Sequence, residues 1–164
     1  MSELAQIEKV VFLQSVDLFA FCSADEVLRL AALAQERRYE EDEVIYREHE
    51  AADALYFVFD GEVVLKDRGR ELRREARGGS FGALEILSGQ RRGADAQAVS
   101  ACLLLDIEAE EFFDLLSNNI EIVKALFRTL AAGAGHADGV GGIGGLGETS
   151  EATSRTTGGA PSTA

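Results

Sequence analysis

Positive charge is scarce in this sequence: 164 residues carry 16 Lys and Arg against 29 Asp and Glu, a formal net charge of −13. Nucleic-acid binding needs clustered cations that displace the counterions of phosphate, and anionic membrane surfaces draw on the same chemistry. Neither partner is expected. Cysteine is scarce too. Cys22 and Cys102 are the two thiols and form no C-x-x-C pair, which excludes a disulfide framework. Each has apolar neighbours, as small buried side chains do. No apolar run is long enough for a bilayer. The start, MSELAQIEKVVFLQS, lacks the basic region, apolar stretch and small-residue cleavage site of a secretory signal. A cytoplasmic, bacterial-type protein is the expectation.

Candidate chemistry is equally sparse. His49 sits between Glu48 and Glu50 in a charged turn, where neighbours point apart rather than converging on a metal, and His136 lies near the C-terminus. The acidic runs Glu40–Glu43 and Glu108–Glu111 lack the alternating oxygen ligands and central Gly of a calcium loop. They read as solvated faces and helix starts. Neither thiol has a local base. No metal, no cofactor and no enzymatic activity are expected.

What is present is a composition of 46% hydrophobic and 27% charged residues, enough for one domain with a core. Three zones follow one another. Residues of about 3–36 read as helical: Ile7, Val10, Val11 and Leu13 recur at helical spacing, and Ser23 caps a second helix with Asp25 and Glu26 at its positive end. Val27, Leu28, Leu30, Ala31 and Leu33 supply that helix's buried stripe. Residues of about 38–107 read as short strands: DEVIYREHE, then ALYFVFD and EVVLKD as a hairpin about Asp60-Gly61, a turn at Arg68-Gly69-Arg70, a Gly-rich turn at 77–80, and AVSACLLLDI as a last buried strand. Arg68, Arg70, Arg73, Arg74 and Arg77 read as the charged face of an outer strand, which discourages edge pairing. Residues of about 108–132 are helical again. Phe112, Phe113, Leu115 and Leu116 back the first of these helices, and Asn118-Asn119 offers a cap for the second, which carries Ile120, Val123, Leu126, Phe127 and Leu130 on one side. Residues 133–164, rich in Gly, Ser and Thr, bury too little apolar area to offset their ordering entropy and read as a disordered tail.

Seven pieces in order carry a resemblance. They are the Leu18-Phe19 turn before Ser23; Glu43-Val44-Ile45 with Arg47-Glu48; Ala54-Leu55-Tyr56-Phe57-Val58; Gly61-Glu62-Val63; Gly79-x-Phe81-Gly82; Leu87-Ser88-Gly89-Gln90; and Arg92 with Ala94. Over residues of about 8–130 the chain resembles the cyclic nucleotide-binding domain family, which includes catabolite-activator-type regulators and regulatory subunits of cyclic-AMP-dependent kinase. The resemblance implies a mainly β fold with flanking helices, of the double-stranded β-helix, jelly-roll-like kind. It also implies a ligand, cyclic AMP or cyclic GMP. In the family a short helix after a Gly turn and one Arg hold the cyclic phosphate, a Glu after the Phe-Gly pair accepts from the ribose, and the final helix closes over the base.

Carried over by position, the ligand-binding set is Gly82, Ala83, Leu84, Glu85, Arg92, Gly93, Ala94 and Asp95. Arg92 takes the phosphate position. The ribose acceptor is replaced by Ala83, the small residue two further on by Glu85, the hydroxyl residue three after the Arg by Asp95, and the Pro before it by Arg91. Losing the ribose bond costs about 1–3 kcal/mol, and two new carboxylates oppose a phosphate. Asp95, three residues from Arg92, could fill the phosphate position from within. The expected function is a stand-alone, non-enzymatic regulatory or sensor module with weak or absent cyclic-nucleotide binding, reporting to a protein partner. The alternative is a vestigial pocket on a fold kept for interaction or assembly. The apolar side of the last helix is either a homodimer seam or core.

Overall fold

The computed structural model describes residues 3–133, so the expected tail beyond Gly133, His136 included, lies outside the described residues. Helix α1 (Gln6–Gln14) leads through a single 3-10 turn at Asp17–Phe19 to α2 (Ala24–Leu33). The start of α2 is a reciprocal capping box: the Ser23 hydroxyl accepts from Glu26 N at 3.3 Å, and the Glu26 carboxylate accepts from Ser23 N at 3.0 Å. Val10, Phe12 and Leu13 of α1 and Val27, Leu30 and Ala31 of α2 are buried. Ile7, Val11 and Leu28 are exposed instead. Each turns too far round its helix to reach the face its neighbours bury, at about 100° per residue.

Eight strands follow: β1 (Gln35–Tyr39), β2 (Val44–Tyr46), β3 (Ala54–Asp60), β4 (Val63–Asp67), β5 (Arg70–Glu75), β6 (Ser80–Phe81), β7 (Asp95–Ala98) and β8 (Cys102–Glu108). The short α3 (Ala83–Ser88) lies between β6 and β7, and α4 (Ala109–Asn118) and α5 (Ile120–Gly133) close the described chain. The strands form two antiparallel four-stranded sheets, ordered β1-β8-β3-β6 and β2-β7-β4-β5. No ladder joins them, and helical residues outnumber strand residues. The fold is therefore a mixed α/β domain with two open sheets. The expected mainly β, double-stranded β-helix or jelly-roll-like architecture is corrected: the sheets neither close into a barrel nor curl. The family resemblance and the run of short strands were its basis, and neither says which strands pair.

Two cores share the central strands. Leu55, Phe57, Leu105 and Ile107 pack with Phe12, Leu30, Phe112 and Ile122 on the helical side. Tyr56, Val58, Cys102 and Leu104 pack with Val63, Leu65, Phe81 and Ala96 between the sheets. Strands β3 and β8 are thus buried on both faces, which is why ALYFV and CLLLDI read as continuous apolar runs rather than as alternation. Strand β1, QERRY, has no such signal and straddles the expected boundary between the helical zone, to about 36, and the strand zone, from about 38. It pairs only with β8, at the sheet's edge.

The Asp60-Gly61 turn is not a hairpin. Strand β3 belongs to one sheet and β4 to the other, so the chain crosses between sheets there. Gly61 has φ +93°, and a Cβ on it would stand 2.5 Å from Ala101 O. That oxygen belongs to the second crossing, from β7 to β8, which also splits the expected AVSACLLLDI strand. The crossings brace each other: Val99 N donates to Glu62 O at 2.8 Å, and Cys102 Sγ lies 3.2 Å from the same oxygen. The real hairpin is β4–β5 through Arg68-Gly69. Strand β5 is a sheet edge whose arginines are tied to acids, Arg74 to Glu71 and Arg73 to Glu75, each at 2.5 Å.

Cys102 is buried and Cys22 half-buried. Burial, reinforced by Glu26, pushes the Cys22 thiol up to about 11. At pH 8 the folded protein is expected to show no fast-reacting thiol toward a chromogenic disulfide reagent, and two thiols after denaturation. Rapid reaction in the native state would contradict this packing.

Candidate functional site

Helix α3 and the segment leading into β7 bring the eight residues expected to bind ligand into one neighbourhood, but not into one role. Gly82 is the residue before α3 and has φ +84°. It must be Gly for a second reason: a Cβ there would come within 2.7 Å of the Arg92 Nη1 and 3.3 Å of Ala54 O. Ala83, Leu84 and Glu85 form the first turn of α3. With Gly82, Gly93 and Ala94 they line a cavity of about 350 Å³. Leu65, Leu72 and Leu130 give it apolar walls, and Arg73 and Arg91 reach it as well.

Arg92 does not line that cavity. It is the largest fully buried side chain among the described residues. Its Nη1 donates to Gly82 O at 2.8 Å, its Nη2 donates to Ala54 O, and its guanidinium lies 4.1 Å from the centre of the Tyr46 ring. Nε is buried without a partner. Two carboxylates stand off at salt-bridge range: Glu85 Oε2 is 3.9 Å from Nη1, and Asp53 Oδ1 is 3.9 Å from Nη2. The backbone is held too, with Arg92 N donating to Glu50 O at 2.9 Å and His49 N donating to Arg92 O at 2.8 Å. Burying a guanidinium is costly unless its donors are used, and here backbone carbonyls use them.

Asp95 is not the internal counter-ion that its spacing suggested. Its carboxylate accepts from Glu48 N at 2.7 Å and so pins the β2 end against β7. Glu85 takes the counter-ion position instead, because α3 sets its side chain beside Arg92. Three-residue spacing places Asp95 near Arg92 along the chain, but the strand that begins at Asp95 turns its side chain toward the neighbouring backbone. Asp53 and Tyr46 were missed by sequence reasoning, since both reach Arg92 only through the fold. The two added arginines are already engaged: Arg73 pairs with Glu75, and Arg91 Nη1 donates to His49 O at 3.1 Å. His49 itself occupies a positive-φ turn with an exposed ring. Among the described residues no group of three or more His, Cys, Asp or Glu is placed to hold a metal ion, and no helix is long and apolar enough to cross a membrane.

The family model for the cyclic nucleotide-binding domain matches residues 36–119, about half of the chain. A protein of Rhodopseudomonas palustris named as a potassium channel protein is 30% identical over 115 residues, covering 68% of this chain and 28% of its own length. The chain spans under a third of the curated relatives it matches. Among solved structures, a cyclic nucleotide binding protein of Ruegeria pomeroyi superposes with a TM-score of 0.70 at 24% identity, covering 80% of this chain and 61% of that one. The regulatory subunit of a cAMP-independent protein kinase A from Trypanosoma cruzi, bound to guanosine, gives 0.68 at 20% identity, covering 81% and 47%. The chain belongs to the cyclic nucleotide-binding domain family, and its fold is that of regulatory subunits and ligand-binding domains.

Arg92 is a structural centre whatever else it does. Arg92→Met removes the donor to the Gly82 and Ala54 carbonyls and leaves Glu85 and Asp53 facing no cation, so a loss of about 3–5 kcal/mol in unfolding free energy is expected by urea titration. A loss below about 1 kcal/mol would mean the two carbonyls find water instead.

Proposed function

We propose that this member of the cyclic nucleotide-binding domain family is a non-enzymatic regulatory module whose pocket accepts a small uncharged ligand and discriminates against cyclic monophosphates. The observation that carries this reading is the Glu85 carboxylate, 3.9 Å from a guanidinium that already donates to Gly82 and Ala54. A phosphate drawn to the Arg92 tip would share that space with Glu85. Two such charges about 4 Å apart repel by about 4 kcal/mol at a near-surface effective dielectric. The attraction to Arg92 at the same range is of the same size and opposite sign, so Glu85 offsets it and a phosphate gains little from the guanidinium. With Ala83 unable to accept from a ribose hydroxyl, the balance falls against the cyclic nucleotide.

The same carboxylate suits a ligand that donates hydroxyl hydrogens, and the leucine walls suit a flat ring. A nucleoside has both features and no phosphate. The T. cruzi regulatory subunit, similar in fold to this chain, is described as bound to guanosine, which supports the reading without identifying the ligand here.

Calorimetry with cyclic AMP and cyclic GMP is expected to give no saturable heat below about millimolar, near 4 kcal/mol of binding free energy. A micromolar constant for either would sink the proposal. The double variant Ala83→Glu, Glu85→Ala restores the acceptor and removes the repulsion, so cyclic-AMP affinity is expected to rise at least about 100-fold, or roughly 2.7 kcal/mol.

A second reading, that the fold serves interaction or assembly, is favoured by α5. Ile120 is 62% and Phe127 68% exposed on that helix, while Ile122, Ala125 and Leu126 face the core. If α5 is a homodimer seam, sedimentation of the full chain reads a dimer that Phe127→Glu converts to monomer. A monomer at all concentrations removes that seam from consideration.

A further inference from the structure

A second cavity, of about 510 Å³, lies against β1, β3, β8 and the start of α4. Its ionisable lining is one-sided: Asp53, Asp106, Glu108 and Glu110 face a single cation, Arg37. Tyr39 and Tyr56 complete the polar wall. Asp53 stands 3.9 Å from the Arg92 guanidinium and Ala54 accepts from it, but Glu85 and α3 take no part in this second cavity.

Asp106 is its most informative residue. The side chain is only 5% exposed. Its Oδ2 accepts the Arg37 Nε–H at 2.7 Å, while Oδ1 is buried and accepts nothing. A carboxylate oxygen in that condition forgoes about 1–3 kcal/mol or more of hydrogen bonding. Burial raises the Asp106 carboxyl above the ordinary aspartate range, Arg37 opposes the rise, and Glu108 and Asp53 add to it. The acids of the lining outnumber its one cation, and Asp106 Oδ1 has an acceptor position free for a further donor.

The chemistry of that donor follows from the lining. Among the described residues the acids are not gathered in a metal-holding group, so a bare divalent ion finds no cage. An organic cation differs: it carries several N–H donors spread over a few ångströms and a hydrocarbon stem. Phenol rings attract such a cation through their faces, and carboxylates take its hydrogens. We propose that this cavity binds an alkylammonium or guanidinium group, with Asp106 and Asp53 as acceptors and Tyr39 and Tyr56 as flanking rings. The cation is either a free amine or the side chain of a basic residue on a partner; the recognition chemistry is the same.

Calorimetry on the full chain at low ionic strength tests this with agmatine and with N-acetyl-arginine amide, using N-acetyl-citrulline amide as the uncharged control. Agmatine is expected to bind at about millimolar or tighter, and the citrulline compound not at all. Equal binding of the arginine amide assigns the site to side-chain capture, whereas binding of agmatine alone assigns it to free amines; both support the proposal. Asp53→Asn, whose side chain is 84% exposed, is expected to weaken binding at least about tenfold, or roughly 1.4 kcal/mol. Asp106→Asn is expected to do the same where it folds. No binding of either cation at 10-fold above about millimolar, equal binding of the citrulline control, or binding unchanged in Asp53→Asn would each overturn the proposal.

Discussion

A guanidinium held out of water organises the α3 end of this domain. Arg92 is 1% exposed and therefore must find partners inside the protein. Those it finds are main-chain oxygens from two distant places, Gly82 before α3 and Ala54 at the start of β3. Its own backbone is tied to residues 49 and 50 in the turn after β2. One side chain thus fixes the relation of β3, α3 and the entry to β7. It also dictates Gly82, because a side chain there would collide with the guanidinium. Glu85 then acquires its meaning: a carboxylate in the first turn of α3 becomes the inner counter-ion of a charge that would otherwise attract an anion.

The platform for this arrangement is the pair β3 and β8. Their side chains alternate between the helical core and the space between the sheets, and both destinations are dry. Full burial of residues such as Leu55, Phe57, Leu104 and Leu105 contributes about 1.5–3 kcal/mol each before entropy is counted. Asp106 interrupts this run on the inter-sheet face, opposite Tyr56, and marks the second cavity. The first cavity lies away from these two strands, and the link between the two cavities is Asp53, which lines the second and stands 3.9 Å from the Arg92 guanidinium.

Local signals were legible wherever a physical effect is local. The Ser23 cap needs only the backbone of the next turn, and it formed, with Glu26 closing it into a reciprocal box. Asp60-Gly61 is a turn as read, since positive φ is a property of one residue. That the turn joins two sheets rather than two paired strands is set by the partners of β3 and β4, which lie at residues 102–108 and 70–75. Strand β1 was illegible because an edge strand can be charged throughout. Asn119 offered itself as a cap for α5, yet its amide donates to Leu115 O and its carbonyl accepts from Arg29, so the side chain faces back to α4 and α2.

By itself, the sequence determined the family, most of the helices and strands, and the presence of Arg92 before the β7 strand with Ala rather than Glu at position 83, because each rests on residue type and order along the chain. Only the tertiary structure decided that the sheets stay open, that Glu85 rather than Asp95 stands beside Arg92, and that Asp106 is left with an unused oxygen in a second cavity. These depend on through-space distances of about 3–4 Å between residues tens of positions apart, where hydrogen bonds and ion pairs form or fail. Spacing along the chain does not encode those distances until the strands have chosen their partners.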